Sequence, residues 1–232
     1  MLEEVWRRSN ETERIDRLIV ATDDERIVEA ARGFGAEVTL TADTHSSGTD
    51  RAAEVLRNRA EAFEVILVIQ CDEPLLTPSC LDRLIGCFDA DAPDLATLSE
   101  PLDNVEDLFN PNVVKLVTND RGRALYFSRS PLPYHRGAQT RLKADFRRVL
   151  AERPGGLAGY RKHQGLYAYS RRVLLELTQM EPSSLELDEG LEQLRALQAG
   201  YAIHVIDSDF RSFSVDTPED LKHVAIMLTE AN

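Results

Sequence analysis

The sequence has few cysteines and no long hydrophobic run, and each shortage excludes a class of protein. No apolar stretch approaches the roughly 20 residues that a membrane-spanning helix needs, and the opening residues MLEEVWRR lack the apolar segment of a signal peptide. The cysteines, Cys71, Cys80 and Cys87, are odd in number and form no CxxC pair. Neither a disulfide framework nor a zinc site is therefore predicted, and we expect a cytoplasmic protein.

Positive charge is also scarce. The formal net charge is −13, which argues against nonspecific binding to nucleic acid, because such binding needs a basic face. Lysine does not occur before Lys115, and the remaining lysines are Lys143, Lys162 and Lys222. A phosphate-bearing small molecule is still allowed, because a pocket can be positive even in an acidic protein.

The chain does contain the pattern of an α/β fold. It has 232 residues, 43% of them hydrophobic, which is enough for one domain with a proper core. Its central stretch is Glu64–Pro74, EVILVIQCDEP, in which the continuous apolar run Val65–Ile69 predicts a strand buried on both faces of a parallel sheet. Asp72 follows this strand, at the sheet edge where α/β proteins usually bind ligands.

Helical and strand patterns alternate around this stretch and predict a single domain spanning residues 1–232. An amphipathic helix opens the chain, a βαβ unit follows, and Pro, Gly and Arg mark an irregular excursion at residues 129–160, part of an inserted arm at about 119–170. The other predictions are an antiparallel hairpin of Val113–Val117 with Ala124–Ser128, a short helix Lys143–Leu150, a strand His163–Tyr169, a helix Leu185–Ala199, a strand Phe213–Val215 and a last helix capped by Thr217.

Two carboxylates are candidates for a metal site. Asp72 lies at a strand end and Asp216 lies just before a helix, so the two could hold one divalent cation between them. Hard oxygen ligands of this kind suit Mg²⁺, which proteins bind through one or two carboxylates together with substrate phosphates. The alternative is that Asp216 only supports the helix start and Asp72 is an exposed turn residue.

Three further stretches could contact a ligand. The loop-to-helix segment containing Ser47, Gly48, Thr49 and Arg51 could receive an anion or a base edge, although the residues alone favour an ordinary helix cap. A strand places His163, Gly165, Tyr167 and Tyr169 on one face, where they could floor a polar pocket or form a partly buried sheet face. For Glu192 and Gln193, the residues alone favour a solvated helix face.

Taken together, eight short segments of the sequence resemble one family, the 3-deoxy-manno-octulosonate (Kdo) cytidylyltransferases. The matching segments occur in the family's order and cover nearly the whole chain: IVATD at 19–23, SGTDR at 47–51, QCDEP at 70–74, FNPNVV at 109–114, ALYFSRSP at 124–131, HQGLYAY at 163–169, LEQLR at 191–195 and VDTPEDL at 215–221. HQGLYAY and LEQLR favour the Kdo branch over the sialic-acid cytidylyltransferases.

The resemblance implies a Rossmann-like (GT-A-like) nucleotidyltransferase fold, with a mainly parallel sheet and helices on both faces. It also implies a reaction of lipopolysaccharide biosynthesis, in which CTP and a Kdo-type sugar acid give CMP-Kdo and diphosphate, with Mg²⁺ as cofactor. The implied roles are Asp72 and Asp216 as metal ligands, Ser47, Gly48, Thr49 and Arg51 at the nucleotide, and Gln70, His163, Tyr167, Glu192 and Gln193 at the sugar acid. The segment around Pro131–Tyr134 resembles the family's dimer arm, so a homodimer is expected.

The sequence departs from the family at three places. Cys71 stands where the family usually has glycine, and Asp50 replaces the usual glutamate. The family also begins with a strand and a loop rich in Arg, Gly and Lys that grips the CTP phosphates, and neither is found here. We expect a start assigned too late in a longer protein; the alternative is a degraded, non-catalytic form that binds nucleotide or sugar. Another sugar-acid nucleotidyltransferase is the alternative within the same class.

Overall fold

The computed structural model describes residues 1–134, 147, 150, 155–215 and 217–230. Within them the helices are α1 (Leu2–Ser9), α2 (Glu25–Gly33), α3 (Gly48–Arg57), α4 (Pro78–Asp91), α5 (Val105–Phe109), α6 (Arg171–Leu177), α7 (Ser184–Glu189), α8 (Gln193–Gln198) and α9 (Pro218–Glu230). The strands are β1 (Ile19–Thr22), β2 (Glu37–Leu40), β3 (Val65–Val68), β4 (Leu95–Pro101), β5 (Lys115–Thr118), β6 (Ala124–Ser128), β7 (Arg161–Ser170) and β8 (Ile203–Asp207). None of these helices is long and apolar enough to cross a membrane.

The chain divides into two compact units. The first unit contains Met1–Pro93, Gly165–Met180 and Ser208–Asn232, and the second contains Asp94–Gln164 and Glu181–Asp207. The boundary runs through β7, which contributes its first residues to the second unit and the rest to the first. The predicted single domain with an inserted arm stays a prediction, and the predicted helix Lys143–Leu150 lies almost entirely outside the described residues.

The first unit contains two separate sets of paired strands. β1 pairs with β2 in parallel, and β3 pairs antiparallel with the second half of β7, in register from Val65 opposite Ser170 to Val68 opposite Tyr167. No ladder joins the two sets within the described residues, although α3 packs against both β1 and β3.

The expected burial of β3 on both faces of a parallel sheet is wrong. Its residues Val65–Val68 are all partly exposed, and its described pairing is antiparallel. The continuous run of β-branched residues correctly predicts a strand. It does not show which strands pair with β3 or how far its side chains are buried. The α/β fold class is confirmed. The pairing is mixed, because β1 with β2 and β4 with β8 are parallel, whereas β3 with β7, β5 with β6 and β5 with β7 are antiparallel.

A small apolar cluster joins α1 to the first βαβ unit. Leu2 and Trp6 of α1 pack with Val20 of β1, and the Trp6 and Phe34 rings lie 5.3 Å apart between centroids. The spacing of Leu2 and Trp6 on one face of the helix predicts this contact. The opening helix is therefore confirmed as amphipathic, and Leu2 and Trp6 on its apolar face are partly buried.

The second unit has strands in the order β6-β5-β7-β4-β8. The predicted hairpin is confirmed: β5 and β6 are antiparallel and joined by a turn in which Gly122 has a φ of +72°. The predicted helix Leu185–Ala199 is wrong, since it is broken into α7 and α8 at Gly190, which adopts a left-handed φ of +62°. Because glycine adopts this conformation without steric cost, it ends α7 and turns the chain.

Two predictions concern the residues around the last helix. The predicted strand Phe213–Val215 is wrong, because this segment forms no regular ladder and instead bonds to the loop that follows β3. The predicted helix start is confirmed, with the Asp220 backbone N–H donating to Thr217 Oγ1 at 3.2 Å. Pro218 is the first residue of α9, where its missing N–H costs nothing.

Candidate active site

Asp72 in the first unit is held by the segment that leads into α9. The Ser214 hydroxyl donates to Asp72 Oδ2 at 3.1 Å, and the Val215 backbone N–H donates to the Asp72 carbonyl at 3.0 Å. Ser212 Oγ donates to the adjacent carboxylate of Glu73 at 2.6 Å. Two alternate serines thus bind two consecutive acidic residues, and this fixes the direction of the Asp72 carboxylate.

The other oxygen of Asp72 fits a cation. Oδ1 is buried and has no hydrogen-bond partner among the described residues. A buried carboxylate oxygen without a donor is costly unless a cation or an added donor meets it, so its donor chemistry fits a hard divalent ion. Asp216, the second predicted ligand, lies outside the described residues, but it directly follows Val215 in the chain. Within the described part of the chain no group of three His, Cys, Asp or Glu side chains forms a metal site.

The predicted nucleotide loop is the N-terminus of α3. Ser47 is its cap, since its Oγ accepts from the Asp50 backbone N–H at 3.1 Å, as the alternative of an ordinary cap predicts. Gly48 approaches the end of β3 closely, because a Cβ added there would lie 3.9 Å from the Val68 side chain. Thr49 is buried. The helix start therefore lies beside the strand that leads to Asp72.

Arg51 is engaged by protein groups. Its guanidinium forms an ion pair with Asp23 at 3.0 Å and also donates to the Thr41 hydroxyl. Asp23 follows β1 and Thr41 follows β2, so Arg51 joins the carboxyl ends of both strands to α3. The predicted contact between Arg51 and a nucleotide stays a prediction, and it would require sharing or exchanging these partners.

In the first unit, Gln70 lies just after β3, and Tyr167 lies on the neighbouring strand β7. Gln70 is exposed, and a Cβ added at Gly165 would lie 4.0 Å from its amide nitrogen. Tyr167 is buried and stacks with Tyr169 at 5.7 Å between ring centroids. The absence of a side chain at Gly165 leaves space beside the Gln70 amide. Cys71, next to Gln70, is an exposed free thiol.

His163 belongs to the second unit and is a neutral base. Burial lowers the pKa of His163 to about 3, so its imidazole carries no charge at pH 7. Its Nε2 lies 3.0 Å from the Thr97 hydroxyl, and the ring of Phe127 meets it edge-on at 5.2 Å. A neutral imidazole can accept or donate a hydrogen bond, but it cannot serve as a positive partner for a carboxylate or phosphate.

Glu192 and Gln193 lie where α8 begins. Glu192 is partly exposed at its N-terminus, whereas Gln193 is only 9% exposed, so a solvated face is wrong for Gln193. Its Nε2 is buried and has no hydrogen-bond partner within the described ranges. A buried amide donor without an acceptor is unfavourable, and an oxygen-rich ligand would relieve it.

The chain is similar to known proteins over nearly its whole length. A cytidylyltransferase family profile matches residues 1–206. The 3-deoxy-manno-octulosonate cytidylyltransferase of Geobacter metallireducens is 45% identical over 230 residues, covering 99% of this chain and 87% of the relative. The enzyme of that name from Pseudomonas syringae pv. tomato is 46% identical over 232 residues, covering 98% of this chain and 87% of the relative.

The chain belongs to the 3-deoxy-manno-octulosonate cytidylyltransferase family. It is therefore a transferase of the nucleotidyltransferase class. A solved structure described as CMP:2-keto-3-deoxy-manno-octonic acid synthetase complexed with CTP matches 100% of this chain and 88% of its own, at 33% identity and a TM-score of 0.86. A 4-diphosphocytidyl-2C-methyl-D-erythritol synthase from Anaerococcus prevotii matches at a TM-score of 0.61 and 14% identity, which shows a shared fold alone.

Sequence reasoning missed several residues that contact the candidate site residues or lie near them. Ser212 and Ser214 hold Glu73 and Asp72, and Thr97 contacts His163. Arg129 donates to the carbonyls of Glu189 and Gly190, just before Glu192 in the chain. Only the alternation of Ser212 and Ser214 before Asp216 carried a local signal, because the other contacts join residues distant in sequence.

Proposed function

We propose that this protein transfers CMP from CTP to a Kdo-type 2-keto sugar acid, giving CMP-Kdo and diphosphate for lipopolysaccharide synthesis. The observation that carries the proposal is the match of the whole chain, at 33% identity, to a synthetase described with CTP bound. The curated relatives at 45% and 46% identity carry the corresponding activity in their names.

The transfer is an in-line displacement at the α-phosphorus of CTP. The anomeric hydroxyl of the sugar acid forms the new bond to phosphorus, loses its proton, and the bond to the bridging oxygen breaks to release diphosphate. Negative charge accumulates on the phosphate oxygens as this occurs, so cationic stabilisation controls the rate.

Asp72 and Asp216 are the residues we propose as Mg²⁺ ligands. The buried Oδ1 of Asp72 lacks a donor among the described residues, and the bond from Val215 to Asp72 brings the chain preceding Asp216 to this loop. When bound, Mg²⁺ would neutralise charge on the phosphates. Ser214 holds the Asp72 carboxylate through Oδ2, and Oδ1 would be available to bind the cation.

The remaining predicted residues bind the two substrates. Ser47, Gly48, Thr49 and Arg51, at the α3 N-terminus, are proposed to contact the cytidine nucleotide, where backbone N–H groups favour an anion. Gln70 and Tyr167 in the first unit, and His163, Glu192 and Gln193 in the second, are proposed to bind the sugar acid. The unpartnered amide of Gln193 supports this role, since a sugar supplies oxygen acceptors.

Diphosphate release tests the proposal directly. With CTP, Kdo and Mg²⁺ we expect release that requires all three, and a panel of other sugar acids and other nucleoside triphosphates should react more slowly. Faster release with a different sugar acid would favour the alternative within the same class. Binding of CTP without release under any of these conditions would support a non-catalytic binding protein.

Two further properties belong to the proposal. The segment Pro131–Tyr134 ends with Tyr134, which is 61% exposed, and this supports a homodimer contact there. A cytoplasmic location would place the protein with its nucleotide substrate, and the free thiols of Cys71, Cys80 and Cys87 are compatible with a reducing compartment.

A further inference from the structure

Glu189, the last residue of α7, joins this helix to the end of β6. Its carboxylate accepts one hydrogen bond at each oxygen: the Ser128 hydroxyl donates to Oε1 at 2.6 Å, and the Arg129 backbone N–H donates to Oε2 at 2.8 Å. The Arg129 guanidinium contacts the same turn, where Nε donates to the Glu189 carbonyl at 2.6 Å and Nη2 donates to the Gly190 carbonyl at 3.2 Å. All of these groups belong to the second unit.

The donors at the end of β6 are themselves held in place. Ser128 is buried, and its oxygen accepts from the Ser130 backbone N–H at 3.0 Å while its one proton goes to Glu189. The Arg129 carbonyl accepts from the ammonium group of the buried Lys115 at 2.6 Å. The carboxylate therefore meets two fixed donors, and hydrogen bonds to an ionised group are stronger than those between neutral groups.

The helix that follows, α8, depends on neighbouring groups for its position. It has only 6 residues, and isolated helices shorter than about 12 residues are marginal in water. Its N-cap residue, Glu192, forms no side-chain cap bond within the described residues. The chain reaches α8 from Glu189 through the left-handed turn at Gly190 and the buried Leu191. The Glu189 carboxylate therefore fixes the chain just before the first turn of α8.

Gln193 is the first residue of α8, which packs against β6. Its amide nitrogen is buried and has no hydrogen-bond partner in the described part of the chain. We propose that Glu189 is a positioning residue, which holds the start of α8 at the end of β6 so that the Gln193 amide donates to an oxygen of the sugar acid. The contact with the sugar acid rests on the proposed function, whereas the holding of α8 does not.

Hydrogen exchange of the full chain without substrates measures the holding of α8. In Glu189→Ala, which removes both carboxylate contacts, the backbone amides of residues 190–195 should exchange at least about fivefold faster, and those of α3 should be unchanged. Asp188→Ala, at the exposed neighbouring position, is the matched control and should exchange like the unaltered protein. Unchanged exchange at these amides in a folded Glu189→Ala protein, or an equal rise throughout the chain, would overturn the proposal.

Ser128→Ala tests the same contact if Glu189→Ala does not fold. Alanine removes the hydroxyl donor and leaves the Arg129 backbone N–H as the second donor to the carboxylate. We therefore expect faster exchange at the same amides by a smaller factor, about twofold to fivefold. No acceleration in this variant would show that the carboxylate contact does not hold α8.

Kinetics test whether Glu189 acts through Gln193. Glu189→Ala should raise the KM for the sugar acid by about twofold to tenfold, the effect of one misplaced hydrogen bond, and leave the KM for CTP unchanged. Gln193→Ala should raise the same KM by at least as much. The double variant should then be no worse than Gln193→Ala, because the amide that Glu189 positions is already absent.

Two kinetic results would contradict the proposal. If the two factors multiply in the double variant, Glu189 acts independently of Gln193, and an equal rise in the KM for CTP would exclude a role specific to the sugar acid. Failure of the unaltered protein to release diphosphate would instead refute the proposed function. The exchange of the α8 amides would still decide whether Glu189 holds the helix, since that measurement uses no substrate.

Discussion

At the scale of single residues, the candidate site contains buried polar atoms without partners and one arginine that joins separate elements. Asp72 Oδ1 and Gln193 Nε2 are buried without partners among the described residues, and Arg51 is joined to the ends of two strands. The sequence placed Asp72 correctly at a strand end, because a proline and an acid after an apolar run mark that position. The sequence could not show that Asp72 Oδ1 lacks a partner while Oδ2 has one, since the donor to Oδ2 is Ser214, more than a hundred residues away.

Asp72→Asn should abolish activity without unfolding the protein. The amide keeps the size and the Ser214 contact can be retained, but the charge that would hold the cation is lost, so we expect a fall in turnover of at least about a hundredfold. Asp216→Asn should do the same. Diphosphate release and circular dichroism check both, and Asp43→Asn, at an exposed loop position, is the matched control. Normal turnover in either variant would remove that residue from the metal site.

His163 makes the stability depend on pH in a defined direction. Its pKa falls from an ordinary 6.5 to about 3 on folding, so the unfolded chain binds a proton more readily than the folded one between these values. The stability that the neutral His163 gives to the folded protein is complete above pH 6.5 and is lost as the pH falls toward 3.

Urea unfolding of the unaltered protein and of His163→Gln between pH 4 and pH 7 measures this effect. As the solution becomes more acidic, the unfolding free energy of the unaltered protein should fall relative to that of His163→Gln by up to about 1.4 kcal/mol per pH unit, since the carboxylates titrate in both proteins. A difference independent of pH would contradict the assignment of a buried neutral imidazole.

At the scale of elements, Lys115 joins the loop after α5 to the end of β6. It is completely buried, and its Nζ donates to the carbonyls of Asn110, Val113 and Arg129 at 2.8, 2.5 and 2.6 Å. Burial lowers the pKa of Lys115 to about 8, so the ammonium form with three protons still predominates at pH 7. The three carbonyls match those three protons.

Lys115→Met should therefore destabilise the fold by about 3 kcal/mol, because three buried carbonyls lose their donor while the volume is nearly conserved. Thermal unfolding measures the loss. Lys222→Met, at an exposed position on α9, is the control and should change the melting temperature little. Equal effects of the two substitutions would contradict the structural role of Lys115.

The elements also show where sequence patterns were sufficient. Caps and turns were predicted well, as with Thr217 and the Gly122 turn, because their signals are local. The break at Gly190 was missed because apolar residues continue across it at helical spacing. The break also has a partner distant in sequence, since the guanidinium of Arg129, just after β6, donates to the Glu189 and Gly190 carbonyls.

At the scale of the whole molecule, motif order identified the family where no single motif could. Eight short segments in sequence order agreed with relatives at about 45% identity over nearly the whole chain. The division into two compact units was not predicted, because β7 belongs to both and its sequence shows no boundary. The partial exposure of the β3 residues was not predictable either, since it depends on which elements lie beside the strand.

Oligomeric state is a property of the whole chain and can be measured by sedimentation. We expect a species of twice the 26.1 kDa protomer mass, and Tyr134→Glu should shift it toward the protomer because a charge would be buried in the contact. Leu187→Glu, an equally exposed apolar position on α7, is the comparison and should leave the dimer intact. A single protomeric species in the unaltered protein would refute the homodimer.

The transfer of label from the α-phosphate of CTP tests the central claim most directly. With CTP labelled at the α-phosphorus, Kdo and Mg²⁺, the account predicts that the label appears in a CMP-sugar while the diphosphate released carries none. Label found only in CTP, or in free CMP without a sugar product, would contradict the assignment of this chain as an enzyme that activates Kdo.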